Sequence, residues 1–169
     1  MCVLPPAVPR AVLVEGRSGA GKTTLAAALG AALGAPVLHL DDLYPGWDGL
    51  EAGAARLADE ALPAWRAGRA ARLRRWDWDA GAWSGAGDDL VVAPGPLLVV
   101  EGVGAGAAEL APGDVLVWAQ APDEVRRHRA LARDGEAYAP HWDRWAAQEE
   151  AHLRAHAPAA RADVVVVTG

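Results

Sequence analysis

A glycine-rich stretch, VEGRSGAGKTT at residues 14–24, has the residue types and spacing that hold phosphate groups in proteins. It fits the pattern G-x4-G-K-[ST], in which glycines let successive backbone N–H groups converge on phosphate oxygens. In that pattern Lys22 would reach the β- and γ-phosphates, and the hydroxyl of Thr23 would ligate Mg²⁺. The stretch therefore predicts a nucleotide site with ATP and Mg²⁺ as cofactors. Its predicted nucleotide-binding residues are Gly16, Ser18, Gly19, Ala20, Gly21, Lys22, Thr23 and Thr24.

Lys22 is the only lysine in the chain, which also contains fifteen arginines. The excess of Ala, Gly, Arg, Pro and Val looks like a bias towards GC-rich codons, so an exception to it is informative. A compact ammonium on a flexible stem enters a tight phosphate pocket that a planar guanidinium fits poorly. The lone lysine therefore favours a chemical role, and we expect Lys22 to act in catalysis.

Carboxylates follow two further apolar runs of strand length. Asp41 and Asp42 follow VLHL at residues 37–40, and Glu101 follows LLVV at residues 97–100. Ligands of open parallel sheets bind beyond the carboxyl ends of the strands. Such carboxylates could accept or orient the proton of an attacking hydroxyl, and could hold Mg²⁺ directly or through water. The alternatives are a solvated turn or helix cap for the aspartate pair, and an ordinary loop role for Glu101.

A helix predicted over residues 122–133 carries arginines on one face. Arg126, Arg129 and Arg133 are spaced i, i+3 and i+7. Phosphoryl transfer spreads negative charge over the oxygens of the moving group, and arginines on a closing lid stabilise that charge while excluding water. We therefore expect Arg129 and Arg133 to act in catalysis and Arg126 to contact the nucleotide. The alternative for any one of them is a solvated basic face.

A tryptophan-rich segment, WDWD at residues 76–79, could bind a second substrate. Aromatic faces stack on nucleobases at about 1–3 kcal/mol each, and an intervening acid could accept hydrogen bonds from sugar hydroxyls. Trp76, Asp77 and Trp78 are therefore candidate substrate-binding residues. The chain has eight Trp and no Phe, so the alternative is that tryptophan replaces phenylalanine in the core.

Five apolar runs alternate with helical patterns, which predicts a parallel sheet with helices on both faces and strands buried on both sides. The predicted strands are residues 11–15, 37–40, 97–100, 115–119 and 163–167. Besides the lid helix, the predicted helices are residues 22–33, 50–67 and 142–156, the second with a kink at Pro63. Residues 76–95 are predicted to be mostly loop, and the arginines of residues 66–75 to form a solvated helix end.

The composition excludes several classes of function. A chain of 169 residues, 52% of them hydrophobic, is long enough for one well-cored domain and short for two. The net charge of −6 argues against a nucleic-acid or anionic-membrane partner. No run approaches the roughly 18 apolar residues of a spanning helix, and no secretory pattern begins the chain, so we expect a cytoplasmic protein. Cys2, the only cysteine, excludes an intramolecular disulfide and a cysteine-rich metal site.

Three motifs resemble those of the uridine kinase group of P-loop nucleoside kinases: GRSGAGKTT, then DDLY at residues 41–44, then LLVVEG at residues 97–102. The resemblance implies an α/β, three-layer P-loop NTPase fold with a five-stranded parallel sheet and a helical lid. It further implies that Asp41 is the base facing the acceptor hydroxyl, while its position at a strand end also makes Asp41 a candidate magnesium ligand. Tyr44 would line the acceptor pocket, where Asp42 takes a lesser part, and Glu101 would help to hold magnesium.

The resemblance extends to two later segments. RALARD at residues 129–134 is similar to the lid of uridine kinases, although residues 135–138 depart from it. The WDW of residues 76–78 takes the place of a Tyr-Asp-Phe segment that supplies acceptor contacts in that family. The change from Tyr to Trp suggests a pocket for an acceptor other than uridine itself.

These observations predict one domain, residues 1–169, with a phosphate loop at 16–23, an acceptor-side insertion at about 41–95 and a lid at about 122–140. Its expected activity is transfer of the γ-phosphoryl group of ATP to a hydroxyl of a small molecule, a nucleoside or similar sugar-bearing compound. A GTPase is disfavoured because the chain has no Asn and no second Lys for an Asn-Lys-x-Asp segment. Two alternatives stay open: a kinase for a sugar acid, coenzyme precursor or antibiotic, and a nucleotide-binding regulatory module without turnover. The oligomeric state is left open.

Overall fold

The computed structural model describes residues 9–169, so the predictions about Cys2 and the first eight residues lie outside the described part. In chain order the strands are β1 (Arg10–Glu15), β2 (Val37–His39), β3 (Ala71–Arg74), β4 (Trp76–Asp77), β5 (Ala82–Trp83), β6 (Asp89–Val92), β7 (Leu97–Glu101), β8 (Val115–Gln120) and β9 (Val164–Val167). The helices are α1 (Lys22–Leu33), α2 (Leu50–Arg56), α3 (Leu62–Arg66), α4 (Asp123–Tyr138), α5 (Trp142–His156) and α6 (Pro158–Arg161).

The main sheet has five strands in the spatial order β2-β7-β1-β8-β9, and every neighbouring pair is parallel. The register places Val12 beside Val99 and Leu13 beside Leu116. The predicted α/β fold with a five-stranded parallel sheet is confirmed, and each predicted strand agrees with the structure to within one residue at either end.

Successive side chains of the central strands point to opposite faces of the sheet and meet two apolar clusters. On one face, Val14 and Val99 pack with Ala26 of α1. On the other, Leu13 and Leu98 belong to the larger cluster, which also contains Trp65 of α3. The sheet therefore forms the middle layer, and its carboxyl edge positions the loops that follow β1, β2 and β7.

The prediction that all five strands are buried on both faces is wrong for β9. Val164, Val165 and Val167 are 46%, 52% and 67% exposed. Among residues 9–169 the strand pairs only with β8, so it lies at an edge of the described sheet.

Helices α1 and α5 have the predicted bounds. The helix predicted over residues 50–67 is α2, a five-residue π-helical segment (Leu57–Ala61) and α3. Pro63 has no N–H to donate, and the wide turns directly before it accommodate that loss within the helical path. Within residues 9–169, no helix combines the length and hydrophobicity needed to span a bilayer.

The segment predicted as mostly loop, residues 76–95, contains the strands β4, β5 and β6. Strand β4 pairs with β5, and β6 pairs with the preceding β3, both antiparallel. Arg72 and Arg74 lie on β3 instead of at a solvated helix end, and the guanidinium of Arg74 donates to the backbone oxygen of Ser84 at 2.9 Å. Only short alternating runs are needed for such ribbons, so the sustained apolar pattern of the main strands is missing here.

Candidate active site

The predicted phosphate loop, residues 16–23, connects β1 to the first turn of α1. Gly19 has φ 77° and Gly21 has φ 84°, in the left-handed region that favours glycine. A Cβ atom at Gly19 would lie 2.0 Å from the backbone oxygen of Arg126, so this position has no room for a side chain. The backbone N–H groups that begin α1 carry the positive end of the helix dipole, which suits a phosphate ligand.

Two cavities of about 600 and 350 Å³ meet at this loop. Four residues line both of them: Gly19, Lys22, Thr23 and Arg133. Of the other predicted nucleotide-binding residues, Ser18 lines the larger cavity, Gly21 and Thr24 line the smaller one, and the buried Gly16 and Ala20 line neither. A ligand that passes from one cavity to the other would therefore contact the lysine and an arginine where the two spaces join.

Lys22 is almost fully buried at this junction. Its Nζ donates a hydrogen bond to the backbone oxygen of Arg17 at 3.1 Å. The ammonium is thereby held over the loop, where a phosphate could replace one of its hydrogen-bond partners.

Glu101 connects the phosphate loop to the neighbouring strand. Its Oε1 accepts a hydrogen bond from the Thr23 hydroxyl at 3.2 Å and lies 2.7 Å from Nδ1 of His39. Burial alone would raise the pKa of Glu101, but the hydrogen bond from His39 and the charge of Lys22 hold that pKa below its usual value. The same hydrogen bond raises the pKa of His39. Glu101 is therefore an ionised acceptor at the end of β7.

Asp41 and Asp42 follow β2 and line the larger cavity together with Glu101. Solvent in the cavity reaches Asp41, yet burial by the surrounding protein raises its pKa, and the charge of Glu101 raises that pKa further. Burial raises the pKa of Asp42 as well. The carboxylates predicted at the strand ends are thus brought to one cavity.

The oxygen atoms beside the loop are of the type that Mg²⁺ prefers. The hydroxyl of Thr23 and the carboxylates of Glu101 and Asp41 all line the larger cavity. Mg²⁺ is a hard cation that takes one or two carboxylates together with phosphate oxygens and water. The donor set fits this ion.

Aromatic side chains form another part of the larger cavity. Tyr44 is buried, its hydroxyl donates to the backbone oxygen of Val103 at 2.7 Å, and its ring meets Trp145 edge-on. Trp47 stacks on Tyr138 with ring centroids 5.2 Å apart. Trp78 lies 4.9 Å from Trp47, and its Nε1 donates to the backbone oxygen of Asp41 at 2.9 Å. The aromatic wall, which we define as Tyr44, Trp47, Trp78, Tyr138 and Trp145, thus lies beside the aspartates.

The structure separates the three residues of the predicted tryptophan segment. Trp78 lines the larger cavity, whereas Trp76 packs edge-on against Trp83 and lines neither cavity. Asp77 accepts hydrogen bonds from the backbone N–H groups of Asp79 and Ala80, so its carboxylate stabilises its own turn. The candidates Trp76 and Asp77 thus line neither cavity, whereas Trp78, which follows β4 in the turn, lines the larger one.

The three arginines of α4 also have separate surroundings. Arg126 is buried and donates to the backbone oxygen of Ser18 at 3.0 Å, so it supports the loop. Arg129 lines the smaller cavity and donates to Thr168 Oγ1 at 3.0 Å. Arg133 lines both cavities and pairs with Asp134 at 2.6 Å, which raises the pKa of Arg133. Only Arg133 reaches the junction.

Gly135, two residues after Arg133, interrupts α4 with φ 55° and ψ −134°. The predicted end of this helix near residue 133 coincides with that break, beyond which the chain continues helically to Tyr138.

Several residues at the site were not among those predicted from the sequence, among them Trp47, Tyr138 and Trp145 of the aromatic wall and the polar residues His39 and Glu149. His39 touches Glu101, as described, and its position beside Asp41 was the available signal. Glu149 of α5 is buried and accepts hydrogen bonds from the N–H of Ser18 at 2.7 Å and from Nε of Arg17 at 3.0 Å. More than 130 residues separate Glu149 from Ser18 in the chain, and no local pattern marks the pair.

No protein-family model and no curated protein sequence matches the chain. Several solved structures do. One is a protein from Bacillus stearothermophilus described as a possible uridine kinase, with a TM-score of 0.65 and 22% identity over 96% of this chain and 90% of that one. Another is a protein from Silicibacter proposed to be a fructose transport system kinase, with a TM-score of 0.52 and 19% identity over 96% and 93%. At these identities the likeness establishes a shared fold, and the resemblance to uridine kinase-like P-loop proteins is confirmed at that level.

Proposed function

We propose that this protein is an ATP-dependent small-molecule kinase. The observation that carries the proposal is the meeting of two cavities at Lys22, Thr23 and Arg133, with Asp41 in the larger cavity. A phosphoryl transfer needs a donor site and an acceptor site that share one point, and it needs cationic groups at that point. The fold shared with proteins described as kinases is in keeping with this proposal.

In the proposed reaction the acceptor hydroxyl lies in the larger cavity and ATP lies along the loop and the smaller cavity. The hydroxyl oxygen attacks the γ-phosphorus, the bond from that phosphorus to the bridging oxygen breaks, and ADP leaves. The carboxylate of Asp41 accepts the hydroxyl proton, and Lys22 and Arg133 stabilise the charge on the moving group. The raised pKa of Asp41 suits a proton acceptor, because a more basic carboxylate holds the proton better.

Thr23 and Glu101 would hold Mg²⁺, which neutralises charge on the β- and γ-phosphates when bound. Asp41 could provide a further oxygen ligand, but we assign it to the acceptor hydroxyl on account of its pKa. The hydrogen bond from Thr23 to Glu101 already orients both side chains towards one place.

We further propose that the acceptor is a nucleoside or a comparable alcohol with a flat ring. The aromatic wall offers faces for stacking, and Asp42 offers a carboxylate for sugar hydroxyls in the same cavity. A cavity of about 600 Å³ has the volume of a typical small-ligand site.

The experiment that tests the proposal is ATP consumption by the purified protein across a panel of nucleosides, sugar acids and coenzyme precursors. We expect a nucleoside to stimulate ADP release and to appear as its monophosphate by mass spectrometry. Lys22→Ala should lower turnover by about 10²–10³-fold, the loss seen when one preorganised donor is removed. Its fold should be retained, as judged by circular dichroism.

A matched control is Arg154→Ala, which removes an exposed cation of α5 that lines neither cavity. Its turnover should equal that of the wild type. If no acceptor stimulates ATP consumption, or if Lys22→Ala turns over normally, the kinase proposal fails. Tight ATP binding without turnover would instead support a regulatory module.

A further inference from the structure

A cluster of three potential metal ligands lies outside the linings of both cavities. Glu51 comes from α2, and His152 and His156 come from α5 at a spacing of four residues, which places them on one helix face. One ligand atom of each residue lies within 4.8 Å of the others. Two separate helices thus bring a carboxylate and two imidazoles to one place.

The separations between the ligand atoms fit a small tetrahedral ion. Nδ1 of His152 lies 3.6 Å from one carboxylate oxygen of Glu51, and Nε2 of His156 lies 3.3 Å from the other. Zn²⁺ binds imidazole and carboxylate at about 2.0–2.1 Å, so two ligands of a tetrahedral site are about 3.3–3.4 Å apart. One nitrogen of each imidazole lies within 4.8 Å of the other, so rotations of the side chains would bring the three ligand atoms to this spacing.

His152 is a buried imidazole whose hydrogen-bonding capacity is unused. It is 2% exposed, and neither of its ring nitrogens has a hydrogen-bond partner among the described residues. Buried polar atoms without partners are rare in native structures, and a bound metal ion is one explanation for them. The cluster therefore differs from an acidic surface patch, where every group is solvated.

The far side of His152 faces a carboxylate, the group that often lies behind metal-binding histidines. Its Nε2 faces Oε2 of Glu15 at 3.6 Å, and Glu15 is fully buried. That carboxylate is fixed in turn by the N–H groups of Gly104 and Gly106, at 2.8 and 2.5 Å. Closure of this 3.6 Å separation to a hydrogen bond when a metal binds would fix the ring and its tautomer, and would leave Nδ1 available to the metal.

The other two ligands are accessible from solvent. The side chains of Glu51 and His156 are 68% and 27% exposed. A metal ion could therefore enter from outside, and water could complete its coordination.

We propose that Glu51, His152 and His156 form a binding site for a transition-metal ion, with Zn²⁺ as the ion that this ligand set favours. Two imidazoles and a carboxylate suit Zn²⁺ and its neighbours in the first transition row, whereas Mg²⁺ and Ca²⁺ prefer oxygen ligands alone. The site would join α2 to α5. Through Glu15, which directly precedes Gly16, it also lies next to the start of the phosphate loop.

The competing occupant of this place is a proton. Burial lowers the pKa of His152, but the carboxylates of Glu15 and Glu51 raise it to above the ordinary value. A protonated His152 would form an ion pair with these carboxylates and would need no metal. Because a metal requires the neutral imidazole, the two states exclude each other.

The test is a zinc titration of the full chain prepared without a polyhistidine tag, in competition with a chromophoric chelator. We expect one Zn²⁺ per chain, and a visible spectrum of tetrahedral type when Co²⁺ replaces it. At a hundredfold excess of free zinc over Kd the melting temperature should rise by about 5–10 °C, and EDTA should reverse this shift.

Glu51→Gln and His156→Ala change solvent-accessible side chains, so both variants should fold, and each should weaken zinc binding at least tenfold. Matched controls are Glu124→Gln and His128→Ala on α4, which should bind zinc like the wild type. Glu101→Gln should also do so, because it removes only the oxygen site beside the phosphate loop. The proposal is overturned if both variants bind zinc as tightly as the wild type, or if the wild type binds no zinc. His152 would then be explained as a protonated imidazole in an ion pair with Glu15 and Glu51.

Discussion

The hydroxyl of Thr23 donates to Oε1 of Glu101 at 3.2 Å, across 78 residues of sequence. Thr23 lies in the first turn of α1 and Glu101 ends β7, so this contact joins the end of the phosphate loop to the neighbouring strand. The same oxygen lies 2.7 Å from Nδ1 of His39, at the end of β2. One carboxylate therefore fixes three elements at the carboxyl edge of the sheet, where the proposed magnesium ligands lie.

The contact between His39 and Glu101 predicts a pH-dependent stability. The pKa of His39 is raised in the folded protein, so its contribution to the free energy of unfolding is fully present below about pH 6.5, its usual pKa. That contribution is lost as the pH rises through the raised pKa of the folded state. The difference in unfolding free energy between wild type and His39→Gln should therefore be largest near pH 6 and should shrink towards pH 9.

Urea denaturation at several pH values measures this difference, and His152 stays in both proteins, so its own titration cancels. His128→Gln, on the exposed face of α4, is the matched control for the removal of an imidazole that lies outside the site. If the difference in unfolding free energy between His39→Gln and wild type is constant from pH 6 to 9, the raised pKa of His39 is contradicted.

The contacts of Glu149 with the phosphate loop predict that α5 contributes to nucleotide binding. Its carboxylate accepts hydrogen bonds from Ser18 and Arg17. Glu149→Ala would leave the partly buried N–H of Ser18 without a partner and would leave Arg17 with Glu150 alone. We expect a loss of about 1–3 kcal/mol in the free energy of unfolding, together with a raised KM for ATP. Glu150→Ala removes only the exposed partner of Arg17 and should cost less than about 1 kcal/mol. Equal losses in the two variants would argue against a role for Glu149 in holding the loop.

Trp78 and Trp76 provide a matched pair for the acceptor site. Trp78→Ala should raise KM for the acceptor by about 5- to 150-fold, which corresponds to one stacking contact of about 1–3 kcal/mol. Trp76→Ala should leave that KM unchanged and lower only stability, because Trp76 packs on Trp83. Steady-state kinetics at saturating ATP measure both, and a raised KM in Trp76→Ala alone would reverse the assignment.

Arg133 is the arginine that should matter most for turnover. Arg133→Ala removes the cation that lines both cavities, so kcat should fall by about 10²–10³-fold with stability nearly unchanged. Arg127→Ala, an exposed neighbour on the same helix, is the control and should keep the wild-type kcat. Single-turnover kinetics would show whether the loss lies in the chemical step, and an unaffected rate in Arg133→Ala would exclude this residue from catalysis.

Much of the fold could be predicted because its signals are local. Each main strand is a short apolar run, and the glycines around Lys22 reflect backbone angles that other residues rarely adopt. The ribbons formed by β3 to β6 were not predicted, because two-residue strands such as β4 leave almost no periodicity to read. The exposure of β9 was also missed, since an apolar run does not reveal whether its strand is central or at an edge.

The site could be predicted only in part, because the direction of a side chain depends on packing. Trp76 and Trp78 belong to one motif, yet only Trp78 reaches the cavity. One helix face carries Arg126, Arg129 and Arg133. Arg126 nevertheless binds the backbone of the phosphate loop, whereas Arg133 lies where the two cavities meet. Contacts such as that of Glu149 with Ser18 arise only when segments far apart in the sequence meet in the fold, and no local pattern in the sequence marks them.

The phosphate loop is held from two helices at once, by Arg126 through the oxygen of Ser18 and by Glu149 through its N–H. The conformational entropy of this loop is therefore lost when the chain folds, and little remains to be lost when a nucleotide binds. Binding energy from the phosphates is then available for alignment of the reacting groups. By holding the loop in one conformation, helices α4 and α5 thus increase its affinity for a nucleotide.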